Sequence, residues 1–139
     1  DRCWVMMGLS FPCGKELEKL ALKSTEKYNP KICVKDGNCS LSGLENQCKK
    51  MIDNNNPIED IAMYCLSYIY SAIDDTVMEL TNKYGKLPLV FSGGVMSNSL
   101  IRKALESKYN AYFAEPQYSA DNACGTAVLS SICNKRNNK

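Results

Sequence analysis

The longest stretch of patterned hydrophobic residues predicts a single long helix. From Pro57 to about Lys83, apolar side chains recur every three or four residues, which is the spacing of an amphipathic helix. Asn56 is expected to cap this helix, and Gly85 is placed to end it. Its apolar stripe comprises Ile58, Ile61, Ala62, Cys65, Leu66, Ile69, Ala72, Ile73, Val77 and Leu80. Such a helix is expected to be the structural spine of the domain.

Shorter elements are predicted before this helix. Helical spacing of apolar residues extends from Gly14 to about Lys27. A β-like segment follows at Ile32–Val34, and the Asp-Gly-Asn sequence at residues 36–38 predicts a turn after it. A further helix is expected from Leu44 to Ile52.

After the long helix the pattern alternates between strand and helix. Leu87–Phe91 has the composition of a buried parallel strand, and a helix is expected from about Ser97 to Ser107. Ala111–Ala114 is predicted as a second strand. A last helix, beginning near Asp121, is expected to carry five residues inward: Cys124, Ala127, Val128, Ser131 and Ile132. This alternation predicts an α/β fold with helices packed against a mostly parallel sheet.

The composition of the chain argues against several classes of protein function. A chain of 139 residues is expected to form one domain or one lobe of a larger one. With 17 basic and 15 acidic residues, its net charge of +2 argues against a basic nucleic-acid platform. The absence of histidine excludes a Ser-His-Asp triad and an HExxH metalloprotease site from these residues. No apolar run approaches the roughly 20 residues of a membrane span, and nothing resembles a signal peptide.

The eight cysteines allow two interpretations. An even number of cysteines is compatible with a secreted disulfide framework. However, their spacings are irregular, no CxxC motif occurs, and several lie within apolar periodic segments. We therefore expect mostly buried, reduced thiols in a cytosolic protein.

Two strand ends carry candidate site residues. Gly93 and Gly94 follow the first predicted parallel strand, where a backbone without Cβ atoms lets a ligand approach closely. The N–H groups of the next helix are expected to favour an anion such as phosphate, although the same residues also suit a plain tight turn. Asp121, after the second strand, suits a helix cap or a residue facing the ligand crevice.

Five segments also follow one another in a characteristic order. They are Asp1–Gly14 with Glu18–Ala21, Ser40–Leu44, Ile58–Ala62, Ser92–Asn98 with Arg102, and Pro116–Asn122. Together they resemble motifs of the TsaD-type glycoprotease family, also called O-sialoglycoprotein endopeptidases, over nearly the whole chain. The resemblance implies that residues 1–139 are the carboxy-terminal lobe of an actin-like, Hsp70-like and sugar-kinase-like ATPase (ribonuclease H-like) fold with a long helical insertion. The amino-terminal lobe would lie outside this chain.

The resemblance also implies a function. Members of the family transfer a threonylcarbamoyl group from its adenylate to N6 of an adenosine in tRNA. ATP or threonylcarbamoyl-adenylate would bind this lobe, and Asp121 would supply one ligand to a divalent iron or zinc ion, whose two histidine ligands belong to the amino-terminal lobe. The expected partners are that lobe, TsaB-like and TsaE-like proteins, and tRNA, in the cytoplasm and without a membrane. The residues expected to contact the nucleotide are Asp1, Gly14, Gly93, Gly94 and Asn98.

Departures from the family pattern leave alternatives open. Cys13 stands where the family has glycine, Leu41 where it has phenylalanine, and Ala120 and Ala123 flank the Asp-Asn pair in place of threonine and glycine. A non-catalytic interaction lobe of a divergent paralogue, or a small-molecule kinase of the same superfamily, would also fit. The older peptidase label finds no nucleophile–base pair in the chain. The isolated 139-residue lobe is not expected to turn over, because half of the ligand crevice would be missing.

Overall fold

The computed structural model describes residues 2–8, 13–118 and 128–132 of the chain. It is a mixed α/β structure in which most residues in regular secondary structure are helical, and the described strands form two two-stranded sheets. The helices are α1 (Arg2–Met6), α2 (Gly14–Ala21), α3 (Ser42–Asp53), α4 (Ile58–Tyr84) and α5 (Ser99–Lys108). The strands are β1 (Val34–Lys35), β2 (Asn38–Cys39), β3 (Leu89–Phe91) and β4 (Ala111–Phe113), and short 3-10 turns lie at Gly94–Ser97 and Pro116–Tyr118. Residues 128–132 are helical.

Helix α4 is the predicted spine, and α2, α3 and α5 all pack against it. Gly85 ends it as predicted, with φ of +83° and an N–H that donates to the carbonyl of Thr81 at 2.8 Å. The prediction that Asn56 caps the helix is wrong. The cap position is Pro57, and no side chain caps the helix there. The backbone of Asn56 instead completes the end of α3 by donating to the carbonyl of Met51 at 3.0 Å.

Helix α2 is shorter than its apolar pattern predicts, since it ends at Ala21 rather than near Lys27. The Ser24 hydroxyl accepts a hydrogen bond from the backbone N–H of Glu26 at 3.1 Å and donates to Asp60 of α4 at 2.5 Å. Such a local bond from side chain to backbone competes with helical pairing. The serine therefore directs the chain away from the helix and ties it to α4.

The predicted turn at residues 36–38 is a two-residue β-hairpin turn. Strands β1 and β2 are antiparallel, and Asp36 and Gly37 between them have φ of +53° and +75°. Positive φ at both positions is the requirement of a type I′ turn, which Asp-Gly satisfies well. A Cβ on Gly37 would lie 3.2 Å from Cδ2 of Leu80, so this glycine also lets the hairpin approach α4 closely.

The second sheet confirms the parallel pairing but not full burial. Strands β3 and β4 are parallel, and Phe91 and Phe113 stack with their ring centres 5.1 Å apart on the helix-facing side. On the opposite side, Val90 is 76% and Tyr112 is 59% exposed. The expectation of a buried strand is therefore wrong for this face, because in the part of the chain described the helices cover one side only. Parallel sheets in complete domains are usually covered on both faces.

The core lies between α4 and the helices that pack on it. Its fully buried side chains include Ala21 of α2, Cys48 of α3, Ala62 of α4 and Leu105 of α5. The last helix departs from its prediction: Val128, Ser131 and Ile132 were expected to face inward, but all three are exposed. A periodic pattern identifies residues that share a helix face, but it does not show whether another element covers that face. The predicted start of this helix, with Cys124 and Ala127, lies outside the described residues.

Asp74 links α4 to the end of α5. Its carboxylate accepts a hydrogen bond from the Tyr109 hydroxyl at 2.6 Å and from Nζ of Lys108 at 2.7 Å. Burial, followed by the hydrogen bond to Asp74, raises the pKa of Tyr109 from 10 to about 12. The phenol therefore stays protonated and keeps donating to the carboxylate well into the alkaline range.

Replacing Tyr109 with Phe should lower the free energy of unfolding at neutral pH by about 1.5–3 kcal/mol, because a hydrogen bond to a charged acceptor is lost. A tyrosine whose pKa is higher in the folded state stabilises the protein below pH 10 and loses this contribution between pH 10 and about pH 12. Across that pH range, the free energy of unfolding measured in urea should therefore fall for the wild type towards the value of the variant. If the difference in unfolding free energy between the two proteins did not change with pH, the hydrogen bond from Tyr109 to Asp74 would not be its cause.

Candidate functional site

The candidate site begins where β3 ends. Gly93 has φ of +105° and ψ of 160°, a backbone conformation that side chains strongly disfavour. After it, the 3-10 turn carries the chain to Asn98, and the buried side chain of Met96 anchors this turn in the core. The sequence predicted a helix from about Ser97, whereas α5 begins at Ser99 because the turn takes up the preceding residues.

Three glycines leave open space in front of the backbone. A Cβ added at Gly14, Gly93 or Gly94 would meet no atom of the described residues within 4 Å, apart from its neighbours in the chain. Gly14 is the first residue of α2, and the buried Cys13 before it makes no capping bond with its side chain. The backbone at these positions is therefore not covered by neighbouring described residues, and binding of a ligand there stays a prediction.

Asn98 caps α5 through its amide oxygen. Oδ1 accepts hydrogen bonds from the backbone N–H groups of Leu100 and Ile101, both at 3.1 Å. Its Nδ2 donates to Oε2 of Glu18 at 3.1 Å. An amide nitrogen carries two N–H bonds, so one remains beyond the bond to Glu18. The side chain thus has a structural role that its sequence motif alone did not indicate.

Glu18 joins α2 to the start of α5. Besides accepting from Asn98, its carboxylate accepts hydrogen bonds from the backbone N–H of Ser99 at 3.2 Å and from the Ser99 hydroxyl. Because Glu18 lies one helical turn after Gly14, this contact brings the Gly14 segment to the Asn98 segment. In the sequence, Glu18 is distinguished only as part of the Glu18–Ala21 motif segment. Its position four residues after the site glycine was the signal that could have identified it.

These contacts correct one expectation about the site. The N–H groups at the start of α5 were expected to favour a phosphate, but Glu18 and Asn98 already occupy those of Ser99, Leu100 and Ile101. A carboxylate there already complements the positive end of the helix dipole. The start of α5 is therefore suited to hydrogen-bond donors, such as hydroxyl groups, rather than to anions.

The glycine of the Ser-Leu-Ser-Gly-Leu motif has a packing role. Gly43 lies in the first turn of α3, where an added Cβ would be 3.1 Å from the Tyr68 hydroxyl of α4. A glycine at this position therefore lets α3 approach α4 without displacing the Tyr68 hydroxyl. The adjacent hydroxyls of Ser40 and Ser42 hydrogen-bond to each other at 2.9 Å.

Two predicted site residues, Asp1 and Asp121, lie outside the described residues, so the structure does not place them relative to the glycines. Within residues 2–8, 13–118 and 128–132, no group of three or more Cys, Asp or Glu side chains is arranged to hold a metal ion. Nor does any helix in these ranges combine the length and apolar character needed to cross a membrane.

The thiols are divided between surface and core. Among the described cysteines no two are joined by a disulfide; Cys33 and Cys39 are exposed, whereas Cys3, Cys13, Cys48 and Cys65 are buried. In the hairpin register Cys39 lies opposite Val34, so Cys33 and Cys39 point to opposite faces of the sheet and cannot pair within it.

We expect denatured protein to react with a thiol reagent at close to eight sites and native protein at far fewer. Replacing both Cys33 and Cys39 with Ser should remove two fast-reacting thiols from the native count, because these two are exposed. The measurement is a timed titration with a chromogenic disulfide reagent. A count near zero after denaturation would mean that disulfides exist and that the predicted compartment is wrong.

Comparison with known proteins assigns the chain to a family. The sequence profile of TsaD, tRNA N6-adenosine threonylcarbamoyltransferase, matches residues 1–128. Among similar proteins, the tRNA N6-adenosine threonylcarbamoyltransferase of Mycoplasma capricolum is 32% identical over 93% of this chain and 45% of its own length. That of Rickettsia conorii is 34% identical over 81% of this chain and 37% of its own length. That of Kosmotoga olearia is 29% identical over 93% of this chain and 42% of its own length.

The chain thus spans less than half the length of these relatives. The matched residues include all five motif segments noted in the sequence. Because the family profile covers most of the chain, the protein belongs to the TsaD family of tRNA N6-adenosine threonylcarbamoyltransferases.

Proposed function

We propose that this chain is the carboxy-terminal lobe of a tRNA N6-adenosine threonylcarbamoyltransferase, with the ATPase-superfamily fold that the resemblance implies. It would bind threonylcarbamoyl-adenylate, or ATP, in a crevice shared with an amino-terminal lobe. The observation that carries the proposal is the contact of Glu18 with Asn98 and Ser99, because it unites two segments that the family resemblance assigns to the nucleotide. The open backbone at Gly93 and Gly94 lies just before these residues in the chain.

The chemistry of these groups suits a ribose. The Glu18 carboxylate accepts hydrogen bonds, and the remaining N–H of Asn98 donates one, which matches hydroxyl groups that do both. Gly14, Gly93 and Gly94 would let the backbone approach the nucleotide at van der Waals distance. Asp1 is included among the residues proposed to contact the nucleotide only because of the family resemblance.

We also propose that Asp121 supplies one ligand to an iron or zinc ion shared with the amino-terminal lobe. A carboxylate is a suitable oxygen ligand for either cation. The ion would polarise the bond that is broken in the transfer. On the side of this chain, the residues described hold the nucleotide and orient it, and they provide no further ligand cluster.

The partners and the compartment are proposed from what the family resemblance implies. We propose that the lobe works with TsaB-like and TsaE-like proteins on tRNA, in the cytoplasm. A net charge of +2 gives this lobe little electrostatic attraction for RNA of its own, so tRNA would be held mainly by the complete complex.

The proposal is tested by comparing two glutamates of the same helix in the full-length protein. Glu18→Gln should weaken binding of a non-hydrolysable adenylate analogue by about tenfold or more, since a charged acceptor is lost. Glu16→Gln should leave affinity unchanged, because Glu16 forms only an exposed ion pair with Lys19 at 2.7 Å. Isothermal titration calorimetry measures both. Absence of analogue binding by the wild type would favour a non-catalytic interaction lobe instead.

A further inference from the structure

Charge is distributed unevenly along the chain, although the net charge is only +2. Residues 22–35 contain four lysines and one glutamate, a net charge of +3, so the remaining residues together carry −1. The four lysines recur at every fourth position, and we call them the basic strip: Lys23, Lys27, Lys31 and Lys35. All four are exposed, and none of them forms an ion pair with another residue that the structure describes. The strip is therefore a local excess of positive charge, with Glu26 as the one acidic residue of its segment.

The segment that carries the basic strip runs along α4. Near its start, the Ser24 hydroxyl donates to Asp60 of α4 at 2.5 Å. Just beyond its end, Gly37 of the hairpin lies against Leu80 of the same helix. Asp60 and Leu80 are twenty residues apart, which corresponds to about 30 Å along a helix that rises 1.5 Å per residue. The strip therefore extends over roughly this length of the surface.

The segment packs its larger apolar and aromatic side chains inwards and leaves the lysines in solvent. Tyr28 meets Tyr64 of α4 edge to face, with the ring centres 5.3 Å apart, and Ile32 packs against the core. The exposed residues between the lysines are polar or small, namely Thr25, Glu26, Asn29 and Cys33. A protein–protein interface normally includes large aromatic or apolar anchors, which the outer side of residues 23–35 lacks. The strip is therefore suited to a partner that is recognised by its negative charge.

One end of the basic strip lies beside the candidate nucleotide site. Lys23 comes five residues after Glu18, whose carboxylate contacts the start of α5. Farther along the segment, Tyr28 borders a small cavity together with Leu100 and Ile101 of α5. A polyanion that lies on the strip would therefore reach the site at this end.

We propose that the basic strip binds the phosphate backbone of tRNA and leads it to the candidate site. This inference rests on the proposed function, in which tRNA is the substrate. RNA is a linear polyanion, and its binding to a row of cations releases counterions, which gives affinity that does not depend on base sequence. Lysine suits such a contact, because its ammonium group acts as a point charge and needs no fixed orientation of the phosphate. The strip would add a local contact to those made by the complete complex.

The test compares two double variants of the full-length protein, Lys27→Gln with Lys31→Gln in the strip and Lys49→Gln with Lys50→Gln on α3. The control lysines are also exposed, and their replacement removes the same charge. Fluorescence anisotropy measures the affinity for tRNA at several salt concentrations. If two phosphate contacts are lost, the slope of log K against log salt concentration should become shallower by about 1.4–1.8. Affinity at about 0.15 M salt should fall roughly tenfold or more, equally for substrate and non-substrate tRNA, whereas the control should change little.

Binding of the adenylate analogue separates this inference from the proposed function. It should be equal in the wild type and both double variants, and melting temperatures show that all three proteins fold. If the wild type bound tRNA through the strip but bound no analogue, the proposed function would fail and the strip would stand. If the strip variant kept the wild-type affinity for tRNA and its salt dependence, the inference would be wrong while the proposed function stood. Loss of binding to the TsaB-like partner alone would also overturn it, because the strip would then be a protein interface.

Discussion

Replacing Asp121 with Asn in the full-length protein should abolish bound metal and threonylcarbamoyl transfer together. Asn lacks the anionic charge that a ligand to a divalent cation supplies, so the shared ion should not be retained. As a helix cap, by contrast, Asn serves about as well as Asp, and the cost in stability should be only a few tenths of a kcal/mol. The melting temperature of the metal-free protein should therefore hardly change. Metal content is measured by elemental mass spectrometry, and transfer by formation of the modified nucleoside in tRNA.

A second carboxylate provides the matched control. Glu106 on α5 forms an exposed ion pair with Arg102 at 2.7 Å and is not among the candidate site residues. Glu106→Gln removes the same charge and should leave metal content and transfer unchanged. If Asp121→Asn also keeps full metal content and activity, Asp121 is a helix cap only, and the metal site inferred from the resemblance does not include it.

Sequence periodicity predicted the elements whose determinants are local. The long helix, its stop at Gly85, the Asp-Gly hairpin turn and the parallel pairing of two strands were all confirmed. The first three depend on residues close together in the chain: a repeated apolar spacing, or a glycine with positive φ. The parallel pairing follows from the order strand, helix, strand, since a crossover helix joins parallel neighbours. The end of α2 was missed because it depends on Ser24, whose hydroxyl bonds to Asp60 thirty-six residues away.

The candidate site was predicted less completely for the same reason. The glycines after β3 were identified because a strand followed by Gly-Gly is a local pattern. Glu18 caps the start of α5 through hydrogen bonds to residues eighty and eighty-one positions away. Its position one turn after Gly14 marks it as a candidate but does not reveal these partners. Likewise, the apolar pattern of residues 128–132 indicated a shared face but not its exposure. Tertiary contacts decide both points.

The double role of Asn98 allows nucleotide binding to be separated from helix capping. In the full-length protein, Asn98→Ala should weaken binding of the adenylate analogue by about 1–3 kcal/mol, because a polar partner is stranded. It should also lower the stability by about 0.5–2 kcal/mol, because Oδ1 no longer accepts from Leu100 and Ile101. Metal content should be unchanged, in contrast to Asp121→Asn.

Asn98→Ser is the variant that distinguishes the two effects. Serine caps helices about as well as asparagine, so the stability should return to within a few tenths of a kcal/mol of the wild type. Its short hydroxyl cannot replace the Nδ2 group that donates to Glu18, so nucleotide binding should stay as weak as in Asn98→Ala. Thermal melts and calorimetric titrations of the three proteins measure the two quantities separately. If Asn98→Ser regains full affinity along with stability, Asn98 acts only by capping α5, and the nucleotide contact belongs to other residues of the site.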